Sequence, residues 1–552
     1  MTYPQWTTEI TTKGTVTGED QLGIEGAAQG YQQEILPGII TVTDHARYYS
    51  FYPWILYRFI FGEDSKRLLA DFRGPYFMRH EMAMLMGTYS HHQNGIYLPG
   101  VVGNRKADGF WQSGDPISLD QNYFQNKLGG FGQYYRTAMQ VMGILEEPEN
   151  SRWVYRLTER GKALAEAYQE SISHTKYFKD LQNKGQLTQI SKEDATEYGQ
   201  VGCLCPDALN ASQDRKLLLD TFFRFGEPQT HDNLHVRRRN SLGVALDLVH
   251  HAGGHFTRDM LRPALYLGEY APGEHYSPSE PLEAWAKRWK MVEVRHLFTF
   301  GLQCLWAAFL LELGSRISIP RESWQSWLES QLEEKDWNIP VQHLAIKLCE
   351  RGGVTGNYEY LLQAVPQNFG MQSGLDEYSL YLNARHSQTN SIDLFETGVR
   401  ILLQLYLRYY SDFKNEDPIW QEMAVRERLP LNDYFQHMED QLQNQEWRAK
   451  EWLGWIYQEY IFEQHEMIAL EKLRYQGYDT FKFYFEDGAF HWPLGKAPYQ
   501  EPIRLAGNRL FNCITMLTDL GLIVVNEDGE MTLSEDGVEY HQRVLRELQN
   551  VH

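Results

Sequence analysis

The sequence predicts a mainly α-helical chain: a helical middle flanked by two small units, one toward each end, each with a short β-hairpin. Three observations lead there. The first two are distant stretches that spell one grammar. One runs Met142-Gly143-Ile144-Leu145-Glu146-Glu147, a polar turn, then Tyr155-Arg156-Leu157-Thr158-Glu159-Arg160-Gly161. The other runs Leu520-Gly521-Leu522-Ile523-Val524-Val525, the turn Asn526-Glu527-Asp528-Gly529, then Met531-Thr532-Leu533-Ser534-Glu535-Asp536-Gly537. Each reads as a helix end, two short strands about a tight turn, and a new helix capped by Thr158 or Ser534. With the helices before them, these hairpins are the wings of winged helix-turn-helix units. The third observation is the stretch 212–450, which carries apolar residues at helical spacing and no strand pattern of comparable length.

Taken in order, the chain divides into five segments. Residues 1–75 form an arm and a helix over 45–61, capped by Asp44 and ringed with aromatics from Tyr48 to Phe61, an arrangement that fits a buried core helix. Residues 76–175 are the first winged unit: a helix over 76–91, a loop over 95–114, a short helix over 119–128, a turn at Gly129-Gly130, a helix over 131–142, the wing, and a closing helix. Residues 176–211 read as a polar linker. The middle domain, 212–450, has helices over 213–225, 240–251, 282–313, 324–331, 341–349 and 391–410. The last segment, 451–552, holds the end of a helix that starts at Trp447, a hairpin over 481–492, a helix over 502–520, the second wing and a final helix.

Composition narrows the class. A chain of 552 residues with 42% hydrophobic and 14% aromatic residues is long and apolar enough for several cores. No run of about 18 apolar residues suggests a membrane span, and the N-terminus lacks the basic and apolar pattern of a signal peptide. Five scattered cysteines fit a reducing cytoplasm better than a disulfide framework. The formal charge of -21 repels nucleic acid at long range and favours protein partners.

Enzyme signatures are missing. There is no phosphate-binding glycine loop with Lys-Ser/Thr, no G-x-S-x-G elbow and no H-E-x-x-H. Cys203 and Cys205 form a C-x-C pair, and His231 and His235 are the nearest residues that could complete a zinc site. The favoured reading is two small apolar residues near a linker, with no metal and no cofactor. Histidines pair at His91-His92 and at His250-His251, with His255 nearby, but Gly253-Gly254 would break a helix that shared His251 and His255.

Nucleic acid is the other candidate ligand. Arg237, Arg238 and Arg239, with Arg262 beyond, are the densest basic residues and could meet phosphates. The recognition helix of the first unit offers Gln133, Tyr134, Tyr135 and Arg136; the second offers Arg504, Asn508 and Arg509. The wings argue against DNA. Glu146, Glu147 and Glu149 outnumber Arg152 and Arg156 in the first, and the second is acidic with no Lys or Arg. Arg504, Asn508 and Arg509 are therefore expected to dock protein.

The L-T-E-R-G and L-S-E-D-G segments resemble the wing-to-helix junction of MarR- and PadR-type winged helices. The plan of winged units about a helical middle also resembles kleisin subunits of bacterial condensin-like complexes, in which such units bind ATPase heads. Residues 39–54 and 465–483 resemble pieces of uncharacterised bacterial proteins of defence-type operons. The resemblance implies a cytoplasmic, non-catalytic scaffold or adaptor in an antiphage assembly, with protein partners such as an ATPase or nuclease and no membrane. The alternative is a regulatory or DNA-sensing protein that binds duplex DNA through its first winged unit and the arginine cluster.

Overall fold

In the computed structural model, apolar residues at helical spacing form helices almost throughout; among the described residues the strands form short hairpins, a pairing of Ile117–Ser118 with Gln189–Ile190, and one three-stranded sheet. The structure describes residues 20–61, 75–92, 99–121, 123–146, 155–227, 233–385, 390–426, 428–444, 446–477, 479–493 and 503–550. The chain forms two units, both discontinuous in sequence and so different from five consecutive segments.

One unit comprises 1–31, 262–275 and 287–506. It is built on the long helix Glu283–Arg316, from Lys287 onward, and on Ser391–Lys414. These two helices approach closely because they meet through glycines: a Cβ at Gly398 would stand 2.8 Å from the carbonyl oxygen of Gly301 and 2.7 Å from Leu305. The long helix runs past the expected end at 313, to Arg316. It meets the length and hydropathy of a membrane span, but 78% of its apolar window is buried inside the protein. Beside it, Phe309 packs edge-on against Trp324, Phe462, Phe483 and Phe490. The strand Ala489–His491 pairs antiparallel with both Ser318–Pro320 and Tyr484–Glu486, so the expected hairpin supplies the central strand and one edge of a three-stranded sheet.

The other unit comprises 32–261, 276–286 and 507–552. Its core helix is Tyr48–Phe61, in which Tyr48, Tyr49, Phe51, Tyr52 and Trp54 are fully or almost fully buried. Their rings tilt or stand edge-on against Phe77, Phe131, Tyr135 and Tyr168. Leu234–His251 is longer than expected and packs on Glu535–Gln549, with Gly243 making room for Val544.

The described residues depart from the sequence expectation at several elements. The supposed linker 176–211 is folded: Lys176–Lys184, Lys192–Gly202 and Pro206–Asn210 are helices that bury Tyr177, Phe178, Leu181 and Tyr198. Its polar residues are the solvent faces of amphipathic turns. The loop expected over 95–114 contains the helix Asn104–Gln112, and the described part of 119–128 is loop. The helix over 502–520 starts later, at Leu510.

Candidate functional site

Both predicted hairpins form. Leu145–Glu146 pairs with Arg156–Leu157, and Ile523–Val525 pairs with Met531–Leu533, each antiparallel. The match between the two sites extends to single atoms. In each, a glycine in the left-handed region ends the preceding helix, Gly143 at φ 69° and Gly521 at φ 72°. In each, the cap hydroxyl donates to that glycine's carbonyl: Thr158 Oγ1 to Gly143 at 2.8 Å and Ser534 Oγ to Gly521 at 2.7 Å. The same hydroxyl accepts from a backbone N–H three residues on, from Gly161 at 3.1 Å and from Gly537 at 3.0 Å. Gly161 and Gly537 are required there, because a Cβ would run into the carbonyl oxygen of Ile144 or of Leu522. The turn of the first hairpin, with Glu147, Glu149 and Arg152, lies outside the described residues.

The basic residues named from sequence are mostly internal. Arg238 is fully buried and donates to three backbone carbonyls, of Phe222, Pro37 and Thr221. Burial pulls its pKa down to about 9. Arg239 is also fully buried, donates to the Arg224 carbonyl and lies 3.7 Å from Glu547. Arg262 is buried on Glu293 at 2.8 Å and beside His296. None of the three faces solvent, which corrects their reading as phosphate ligands: Arg238 and Arg239 lie on a helix whose faces are nearly all covered, and Arg262 is turned inward from the later helix Leu261–Leu267. Arg237 is half-exposed. Tyr135 is buried among Tyr48, Tyr49 and Tyr52, whereas Gln133 is exposed and Arg136 half-exposed with its guanidinium over the Tyr155 ring.

Of the residues expected to dock protein, Asn508 and Arg509 are buried and so are corrected as well. Asn508 accepts from the Leu510 N–H, and the Arg509 N–H donates to Gln32. Arg504 is exposed. What is exposed on the C-terminal hairpin was not singled out from sequence: Val524, Val525 and, on the following helix, Val538 present large apolar surfaces to solvent. The strand reads Ile523-Val524-Val525 with only Ile523 inward, so no hydrophobic alternation announces the exposed pair.

The structure gathers one cluster that the sequence reading divided. His91, His92, Cys203 and Cys205 bring one donor atom each to within 4.8 Å of one another. His231 lies outside the described residues, and His235 sits 3.9 Å from Glu227. The histidines end the helix Phe77–His91, Cys203 follows the helix Lys192–Gly202, and Cys205 caps Pro206–Asn210. The first two of these helices touch backbone to backbone at Gly87 and Gly199, where a Cβ on Gly199 would run into the Gly87 carbonyl. Ser90 and Thr196 hydrogen-bond between the same helices at 2.5 Å. Cys203 and Cys205 are buried, free thiols. Cys203 Sγ lies 3.4 Å from His92 Nε2 and accepts from the Cys205 N–H at 3.4 Å. Their proton affinities are driven apart: the hydrogen bond from Cys203, reinforced by His92, holds Cys205 far below the usual thiol range, while the same bond and burial raise Cys203. Arg47, buried and paired with Asp214, donates to the Cys203 carbonyl at 2.7 Å and fixes the turn that carries both sulfurs.

Comparison of the chain with protein-family models, with curated proteins and with solved structures gave no match.

Proposed function

We propose that the chain is a non-catalytic scaffold or adaptor subunit of a bacterial multi-protein complex, one of the antiphage kind, working in the cytoplasm. In this reading the two hairpin-bearing units are winged helices that dock partner proteins, an ATPase or a nuclease among them. The observation that carries it is the surface of the C-terminal hairpin. Val524 and Val525 are exposed beside Glu527 and Asp528, and no Lys or Arg occurs from 523 to 537. An apolar face rimmed by carboxylates suits a protein surface and repels a phosphate backbone. The internal arginines add weight, since Arg238, Arg239 and Arg262 contribute no basic surface.

The test uses the full-length chain mixed with the purified products of its neighbouring genes, with complexes sized by light scattering. A complex of fixed stoichiometry is expected, and Val524→Glu with Val525→Glu should weaken it by about tenfold or more. A chain that stays alone with all of those partners would sink the reading. The second reading, duplex DNA bound by the first unit, rests on exposed Gln133 and half-exposed Arg136. It gains if duplex DNA binds at about 50 mM salt and Arg136→Glu lowers the salt slope.

A further inference from the structure

We propose that His91, His92, Cys203 and Cys205 hold a structural zinc ion that clamps the end of the helix Phe77–His91 to the turn after Lys192–Gly202. Two thiolates and two imidazoles are a donor set that zinc takes in closed tetrahedral sites, where no position is left for a substrate. Zinc at its usual bond lengths needs donors roughly 3.3–3.8 Å apart. Cys203 Sγ and His92 Nε2 already stand 3.4 Å apart, and all four donors fit within 4.8 Å, so small side-chain rotations close the tetrahedron.

Two independent observations point to a ligand. His91 is half-exposed, but its Nδ1 is itself buried with no hydrogen-bond partner among the described residues, a costly state for a polar ring nitrogen shut off from water. Cys203 Sγ is also provided with an outer hydrogen bond of the kind a thiolate needs, from the Cys205 N–H at 3.4 Å. The backbone around the cluster is fixed by the Gly87–Gly199 contact and by Arg47, so the donors converge without the ion having to gather them from separate loops. The ion adds a cross-link between ligands far apart in sequence, in a segment whose helices are short.

The full-length chain, purified without chelators, is expected to carry about one zinc per molecule by elemental analysis. Cys203→Ser with Cys205→Ser should reduce that to under about a tenth of an equivalent. Because this variant could fail to fold, His92→Cys is the control: a three-cysteine, one-histidine set still binds zinc and should retain the metal. Cobalt exchanged into the wild-type chain should give a thiolate charge-transfer band and the intense visible bands of a tetrahedral ion. Removing zinc from the wild type with a chelator should lower the melting temperature, and adding zinc back should restore it. The proposal is overturned if zinc-supplied protein carries under about a tenth of an equivalent and gives no cobalt bands. It is equally overturned if the double-serine variant keeps its full zinc, or if iron or copper fills the site instead.

Discussion

At the scale of single residues, the buried ionisable groups decide how this protein answers to pH. Glu81 is the clearest. It lies inside the aromatic core, accepting from Tyr123 Oη at 2.9 Å and from the Phe131 N–H at 3.2 Å. Burial lifts its carboxyl from 4.5 to about 7, with the hydrogen bonds only partly opposing that rise. A group that holds its proton more tightly when folded stabilises the fold fully below pH 4.5, and that contribution is lost as pH rises through about 7. A shift of this size corresponds to roughly 3 kcal/mol. Urea midpoints should therefore fall between about pH 5 and pH 8 in the wild type, and Glu81→Gln should flatten that fall. An unchanged slope in the variant would assign the dependence elsewhere. Arg238 gives a second expectation. Arg238→Ala leaves three buried carbonyls without their donor, and should cost about 3 kcal/mol or more in denaturant unfolding. Any loss of DNA binding on charge reversal at that position would report unfolding and not a lost phosphate contact.

At the scale of elements, the two hairpin junctions behave as one design used twice. Ser534→Ala removes both a cap acceptor and a donor to Gly521, and should cost about 1 kcal/mol. Gly537→Ala should cost more, since its Cβ meets a backbone carbonyl that has no room to move; Gly161→Ala should behave alike. Thermal melts of the three variants rank these effects, and a harmless Gly537→Ala would show that the junction relaxes. These junctions were the most legible part of the sequence, because strand, turn and cap chemistry are all local. The long helices were legible too, from their periodicity. The supposed linker was not, because short amphipathic helices such as Lys176–Lys184 have mostly polar residues and bury only a few aromatics. The metal-ligand cluster was half legible. Cys203 and Cys205 stand out by spacing, but their partners His91 and His92 reach them only through the glycine contact of two helices, which no local pattern announces. The arginine cluster misled for the opposite reason: charge density in sequence says nothing about which side chains a packed helix turns inward.

At the scale of the whole molecule, charge governs encounter. With a net charge of -21, the chain should associate fastest with basic partners, and the on-rate should fall as salt rises while the off-rate changes little. Stopped-flow mixing across a salt series reads this directly, and an on-rate indifferent to salt would place recognition in apolar contacts alone.

The discontinuity of the units has a further consequence, which concerns the order in which the chain is made. The unit begun by residues 32–261 is completed by 507–552, where Leu510–Asp519 and Glu535–Gln549 supply part of its core. A ribosome will have released the whole intervening stretch before those two helices emerge. Until then Leu234–His251 lacks the surface that Val544 fills beside Gly243, and the nascent chain carries an open apolar groove. The early unit must wait for residues 507–552 to close, so chaperones have a long window in which to hold it, and termination between residues 261 and 507 yields a chain with that groove exposed.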